Sequence, residues 1–322
     1  MDVTESNKDK LALASIMTQF TDAWFAGNSQ AMAQLLADDS QLFSSQHGCA
    51  SGARAMTDLL MQDANNKPFY GQMTNRYIGV EGDNAAASCY VYGIFQADNR
   101  TFFIFGAALV FRFSRQQQWQ LDELRLQVNW THGNNSLVPH WRKPPGQNGW
   151  QMGDDAPVIV SELHSPWALL PNAAAADSLS EALAELYYRY SFAVDQNDMG
   201  LLVSAYSEDI AGGFAPVGNL NGREQVIGIL KSFRHLATLW QHFAEVVKVE
   251  DEGDGLHAKF IVARIIPERA VDELGRKLYG AHYQLRARRQ HNGQWQICWT
   301  DYRPGWFSEH QLPEFDVGNA TA

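Results

Sequence analysis

The sequence predicts an α+β protein built as two cones, each with three N-terminal helices packed on a curved antiparallel sheet. Three observations lead there. The first half of the 322-residue chain is repeated in the second at an offset of 170: Leu13, Ile16, Met17, Phe20 and Trp24 map onto Leu183, Leu186, Tyr187, Tyr190 and Val194. Within each copy the apolar period is helical at first and then changes to two, the period of a half-buried strand. A chain with 45% hydrophobic residues can also bury two cores of about 130 residues each.

The first helix of copy one is expected over Lys10–Ala26, ended by Gly27-Asn28, where glycine supplies a left-handed C-terminal residue. Gln30–Ala37 reads as a second helix and Ala53–Gln62 as a third, opened by Gly52. In copy two, Ser178-Leu-Ser-Glu181 has the pattern of a capping box, and Asn221-Gly-Arg-Glu224 repeats it before the third helix. A loop is expected between the second and third helices of each copy. Strands follow. Copy one offers residues 76–80, 85–95, 102–113 and 119–130; copy two offers 241–250, 256–266, 278–290 and 294–302, with His291-Asn-Gly293 as a hairpin turn. Trp119-Gln-Leu matches Trp295-Gln-Ile, so the offset has grown to 176 by the last strand. The expected domains are therefore 1–131 and 178–322, joined by a connector at 132–177. That connector holds Pro139, Pro144, Pro145, Pro157, Pro166 and Pro171. It also holds Trp141, Trp150 and Trp167, aromatic groups that disordered segments lack, and so reads as a strap packed over one or both domains.

A net charge of −11 and a pI near 5.3, with no run of Lys and Arg, exclude the basic surface that nucleic acid or an anionic membrane requires. Cys49, Cys89 and Cys298 are odd in number and far apart, which points to a reducing compartment. The polar N-terminus and the lack of a long apolar window predict a cytoplasmic protein. No zinc spacing, calcium loop, phosphate loop or nucleophile elbow is present, so neither a metal nor another cofactor is expected.

The residues capable of chemistry are unevenly shared. Phe25 of copy one is replaced by Asp195 in copy two, and His242 on a strand of copy two has no counterpart, since copy one lacks histidine between His47 and His132. Removing a proton from carbon beside a carbonyl needs a base near neutral pKa, a partner that holds it, and a donor to the developing oxyanion. His242, Asp195 and Tyr190 supply those groups. Residues five apart on a helix lie about 140° apart around its axis, so Tyr190 and Asp195 can point at one spot only if the helix frays at Asp195.

Copy two resembles the SnoaL-like branch of the NTF2-like (cystatin-like) superfamily through Tyr190-Ser-Phe-Ala-Val-Asp195-Gln-Asn-Asp198, Tyr206-Ser-Glu-Asp209, Gly222-Arg-Glu and Trp240-Gln-His242-Phe. That branch includes scytalone dehydratase and the bile-acid dehydratases. The resemblance implies a Tyr, an Asp late in the first helix and a His on the first long strand gathered inside the cone, here Tyr190, Asp195 and His242. Tyr five residues before Asp is the bile-acid dehydratase pattern. The second catalytic His of scytalone dehydratase would fall near Ala263 or Arg264 and is absent; the last-strand Arg of the bile-acid enzymes has Arg303 as its nearest candidate. Tyr187, Trp240, His257, Arg264 and His282 are candidate ligand-lining residues.

Each has a plainer role open to it. Asp195 can be a solvated or capping carboxylate, His242 a structural histidine, and Tyr190 a core residue with a satisfied hydroxyl. The aromatic strands of copy one suit either a packed core or an apolar ligand pocket. The expected function is a cofactor-independent lyase or isomerase, dehydratase-like or polyketide-cyclase-like, acting on a small hydrophobic carbonyl compound in the second domain. The alternative is a non-catalytic ligand-binding or assembly protein. Fusion of two cones predicts an intramolecular pseudo-dimer, open to further self-association.

Overall fold

The computed structural model describes residues 5–64, 69–98, 100–142, 156–215, 217–234 and 241–316. It forms two compact units that divide between Ala174 and Ala175. The first contains α1 (Glu5–Ala26), α2 (Ser29–Ala33), β1 (Leu36–Ser44), β2 (Gly48–Ser51), α3 (Ala53–Leu60), β3 (Phe69–Glu81), β4 (Asn84–Gln96), β5 (Phe102–Arg115) and β6 (Trp119–Gly133), then two single-turn helices, α4 (Ser161–His164) and α5 (Pro166–Leu169). The second contains α6 (Leu179–Asp195), α7 (Met199–Ala205), β7 (Tyr206–Phe214), β8 (Gly218–Asn221), α8 (Arg223–Arg234), β9 (Ala244–Asp251), β10 (His257–Arg264), β11 (Leu278–Arg289) and β12 (Trp295–Ser308). The sheets have the same strand order, β2-β1-β6-β5-β4-β3 and β8-β7-β12-β11-β10-β9.

The repeat extends to the caps. Gly27 ends α1 at φ +68, and the amide of Asn28 donates to the Ala23 carbonyl at 2.8 Å; 170 residues on, Asn197 takes φ +58 and the amide of Asp198 donates to Ala193 at 2.8 Å. Asn tolerates this left-handed conformation better than most residues. Asn28 then caps α2 by accepting from the Ala31 amide, and Asp198 caps α7 by accepting from Leu201. Ser178 accepts from the Glu181 amide, as a capping residue should, while the Glu181 carboxylate takes the amide of Asp177. Asn221 does not cap α8: its own amide donates to the Gln225 side chain.

The segment expected as the end of the second helix and a loop contains two strands instead. β1 and β7 pair in parallel with β6 and β12, so each sheet is antiparallel but for one pair. Asp38 and Asp39 fall where β1 shifts register between Leu36 and Gln41, and they hide the alternation by which strands are recognised.

The interior of the first unit is apolar. Met17, Phe20 and Trp24 from α1 meet Phe69, Val91, Phe105, Leu109, Phe111 and Leu126 from the sheet. Each such side chain, fully buried, contributes about 1.5–3 kcal/mol. From the connector, Trp141 is buried among Phe95, Phe103 and Phe105, and Trp167 stacks on Tyr77 with centroids 4.5 Å apart. Trp150 lies outside the described residues. No helix among the described residues is long and apolar enough to cross a membrane.

Candidate functional site

The second unit's site begins at the last turn of α6. Asp195 is its final residue and is buried. One of its carboxylate oxygens accepts the backbone N–H of His242 at 2.8 Å, and the other lies 2.7 Å from His242 Nδ1. A carboxylate can only accept here, so Nδ1 is the donor to Asp195. The helix does not fray, because the Gln196 amide still donates to the Phe192 carbonyl. Nor does convergence demand fraying: Asp195 bonds Nδ1, while the Tyr190 ring stands edge-on with its centroid 5.8 Å from that of the imidazole.

The sheet supplies the facing wall. Tyr187 lies 5.9 Å from Tyr283, and Tyr190 lies 5.5 Å from Tyr206, between ring centroids. Tyr283 pairs with Tyr302 across β11 and β12, their rings 4.9 Å apart. Arg264 donates to the Gln241 carbonyl at 3.0 Å and to the Tyr283 hydroxyl at 3.4 Å. Arg264 Nε makes no hydrogen bond among the described residues, and the Tyr187 hydroxyl sits against the Arg264 guanidinium. Burial holds the Tyr187, Tyr190 and Tyr206 hydroxyls well above the ordinary phenol pKa, so all three are neutral donors at physiological pH. Burial opposes the charge on Arg264, but Tyr283, Tyr187, Asp195 and Tyr302 outweigh it and raise its pKa.

Three of the expected lining or catalytic residues lie elsewhere. Residues opposite one another in the ladder share a face, and alternate residues change face. Ala281 pairs with Arg264 and Tyr283 with Tyr302, which places that set on the face against α6; His282, paired with Ala263 and Arg303, points the other way. Arg303 instead bonds Asp301 at 2.7 Å and Asp316 at 3.1 Å. His257, at the far end of β10 from Arg264, bonds Asp254 in the preceding turn at 2.7 Å. Trp240 lies outside the described residues. Tyr206 opens one of the motifs but carries no expected role there, and Tyr283 and Tyr302 lie outside the motifs; the period-two alternation that puts Tyr283 and Tyr302 beside Arg264 is the available signal.

Ladder pairing explains why the first unit lacks this site. Ile78 pairs with Ala87 as Val249 pairs with Phe260, and Thr74 with Tyr90 as Glu245 with Ala263. The offset on this strand is therefore 171, and His242 corresponds to Gly71. Phe25, at the Asp195 position, lies over that glycine: a Cβ there would fall 2.3 Å from the Phe25 ring. The remaining lining residues Tyr187, Tyr190, Tyr206, Arg264, Tyr283 and Tyr302 correspond to Met17, Phe20, Leu36, Val91, Leu109 and Leu126, all in the first unit's apolar core. Gly71→Ala should destabilise the protein by about 1–3 kcal/mol through overpacking. In a Phe25→Ala background the same change should cost close to nothing; urea denaturation of the four members of that cycle would reveal the coupling.

The first unit has a different polar centre. Asp63, in the turn after α3, is buried and accepts from Trp24 Nε1 at 2.9 Å and Trp141 Nε1 at 2.6 Å. His47 Nε2 lies 3.1 Å from both its oxygens, and His140 Nε2 lies 2.7 Å from one. Burial alone would raise the Asp63 pKa, but the His47 charge and the bonds from His140, His47 and Trp141 hold it well below the carboxylate range.

Residues 178–301 match the SnoaL-like domain family. Among curated proteins none matches the chain. Similar solved structures include a candidate scytalone dehydratase from Novosphingobium aromaticivorans, at 16% identity and a TM-score of 0.37, covering 40% of this chain and 91% of its own. Another is a hexachlorocyclohexane dehydrochlorinase from Novosphingobium barchaimii, at 15% identity and 0.36, covering 43% and 96%. A third is an NTF2-like protein with a cystatin-like fold from Novosphingobium aromaticivorans, at 18% and 0.35, covering 40% and 91%. The second unit thus carries the match to the SnoaL-like domain family, and the first unit repeats its strand order in tandem.

Proposed function

We propose that the second unit is a cofactor-independent lyase or isomerase in which His242 removes a proton from carbon beside a carbonyl group of a small, largely hydrophobic substrate. The observation that carries this reading is the use of both Asp195 oxygens on one residue, His242, one on the backbone and one on Nδ1. This fixes the ring's position and leaves Nε2 as the base. When the C–H bond breaks, its proton moves to Nε2, its electron pair forms the carbon–carbon double bond of an enolate, and the carbonyl π pair moves onto the oxygen. Arg264 and the neutral Tyr187 hydroxyl are the donors nearest to hand for that oxyanion, the Tyr190 hydroxyl being engaged with Tyr206, and Asp195 balances the imidazolium. Returning the proton to a different carbon gives isomerisation. Delivering it to a departing β-hydroxyl gives water and a conjugated carbonyl.

The test is a screen of enolisable and β-hydroxy carbonyl compounds, followed by solvent deuterium exchange at the α-carbon. Wild-type protein should exchange and turn over at least one class. His242→Ala should remove both activities, whereas Phe25→Ala should leave them unchanged. Turnover that persists in His242→Ala would place the chemistry elsewhere.

A further inference from the structure

We propose that His47, Asp63 and His140 of the first unit form a binding site for one divalent transition-metal ion, with zinc as the best match to its ligands. Two imidazoles and a carboxylate are a ligand set for such ions, with a further position left to water. His47 Nε2, His140 Nε2 and an Asp63 oxygen all lie within 4.8 Å of one another, so one ion can reach all three. The sequence contains no local metal motif because the two histidines stand 16 and 77 residues from Asp63.

The surrounding bonds are those that orient ligands. Trp141 donates to one Asp63 oxygen and Trp24 to the other. An indole N–H cannot ligate a metal, so these bonds fix the carboxylate plane and leave a lone pair on each oxygen for the imidazole side. His47 Nδ1 lies 2.8 Å from Ser44 Oγ. A hydroxyl can donate or accept, so Ser44 suits both forms of His47: the one that donates Nε2–H to Asp63 without metal, and the Nδ1–H form whose Nε2 binds an ion. The His47 side chain is 1% exposed, Asp63 0% and His140 22%, so the ion would enter, and its water would sit, on the His140 side.

The experiment uses the full chain, stripped with a chelator and titrated with Zn²⁺ by calorimetry, then with Co²⁺. One equivalent of zinc should bind with a dissociation constant of about 1 µM or below, and Co²⁺ should give the visible absorption of a four-coordinate ion and quench indole fluorescence. His140→Ala, at the most exposed ligand and with the fold checked by circular dichroism, should weaken zinc at least about 100-fold. Trp141→Phe keeps every ligand but removes one N–H from the carboxylate, and should weaken zinc about tenfold. Glu252, Asp254 and His257 are another group able to approach one ion; His257→Ala should leave affinity and stoichiometry unchanged. No zinc binding by folded wild-type protein, binding that survives His140→Ala, or binding lost in His257→Ala would each overturn the proposal.

Discussion

Asp195→Asn is expected to lower the turnover number of the second unit by about 10⁴-fold with little change in KM, the scale known for losing the orienting carboxylate of a histidine base. Asp195 accepts two N–H groups of His242 with two oxygens. An amide has one oxygen, so one of those positions must become an NH₂ donor. Keeping the backbone bond turns NH₂ toward Nδ1, which drives the ring proton to Nε2 and removes the base. The side-chain volume hardly changes, so the loss should appear in kcat while thermal stability falls far less. Equal kcat values for wild type and Asp195→Asn would reduce Asp195 to a structural tie.

Asp63→Ala should lower the unfolding free energy by about 3–5 kcal/mol at pH 7, the usual scale for removing one partner from a buried charged cluster. Trp24 and Trp141 lose their acceptor inside an apolar core, and both imidazoles lose theirs. Urea denaturation followed by indole fluorescence measures the effect. Because the folded-state pKa of Asp63 is depressed, its contribution is present above the unfolded carboxylate value of about 3.9 and is lost as pH falls through the folded value. The gap between wild type and Asp63→Ala should therefore be constant near neutrality and close only in strong acid. A gap that closes already between pH 7 and 5 would show that Asp63 is not held ionised by its partners.

Much of the fold was legible because the signals are local and occur twice. Gly27 and Asn197, or Ser178 before Glu181, act within one turn of chain. The parallel pairing of β1 with β6 joins residues some 80 positions apart, and Asp38 and Asp39 mask the strand that makes it. The site divides in the same way. Tyr190, Asp195 and His242 stand together in the motif, whereas Arg303 came only from the resemblance's last-strand position and His282 from its residue type; strand parity turns both away while bringing in Tyr283 and Tyr302. Asp63 gave no sign of its role, since its partners lie 39, 16, 77 and 78 residues away and two of them belong to the connector.

The fit of Phe25 over Gly71 acts as a ratchet on how the two units can change. Placing Asp at position 25 alone would set a carboxylate against the Trp24 and Phe69 rings with no imidazole to receive it. Placing His at position 71 alone would drive its side chain into the Phe25 ring. Each single step back toward the second unit's pair is destabilising, and only the simultaneous exchange avoids both costs. Among the described residues the Asp–His pair at these positions therefore stands in the second unit alone, while the first unit holds its buried polar residues around Asp63 instead.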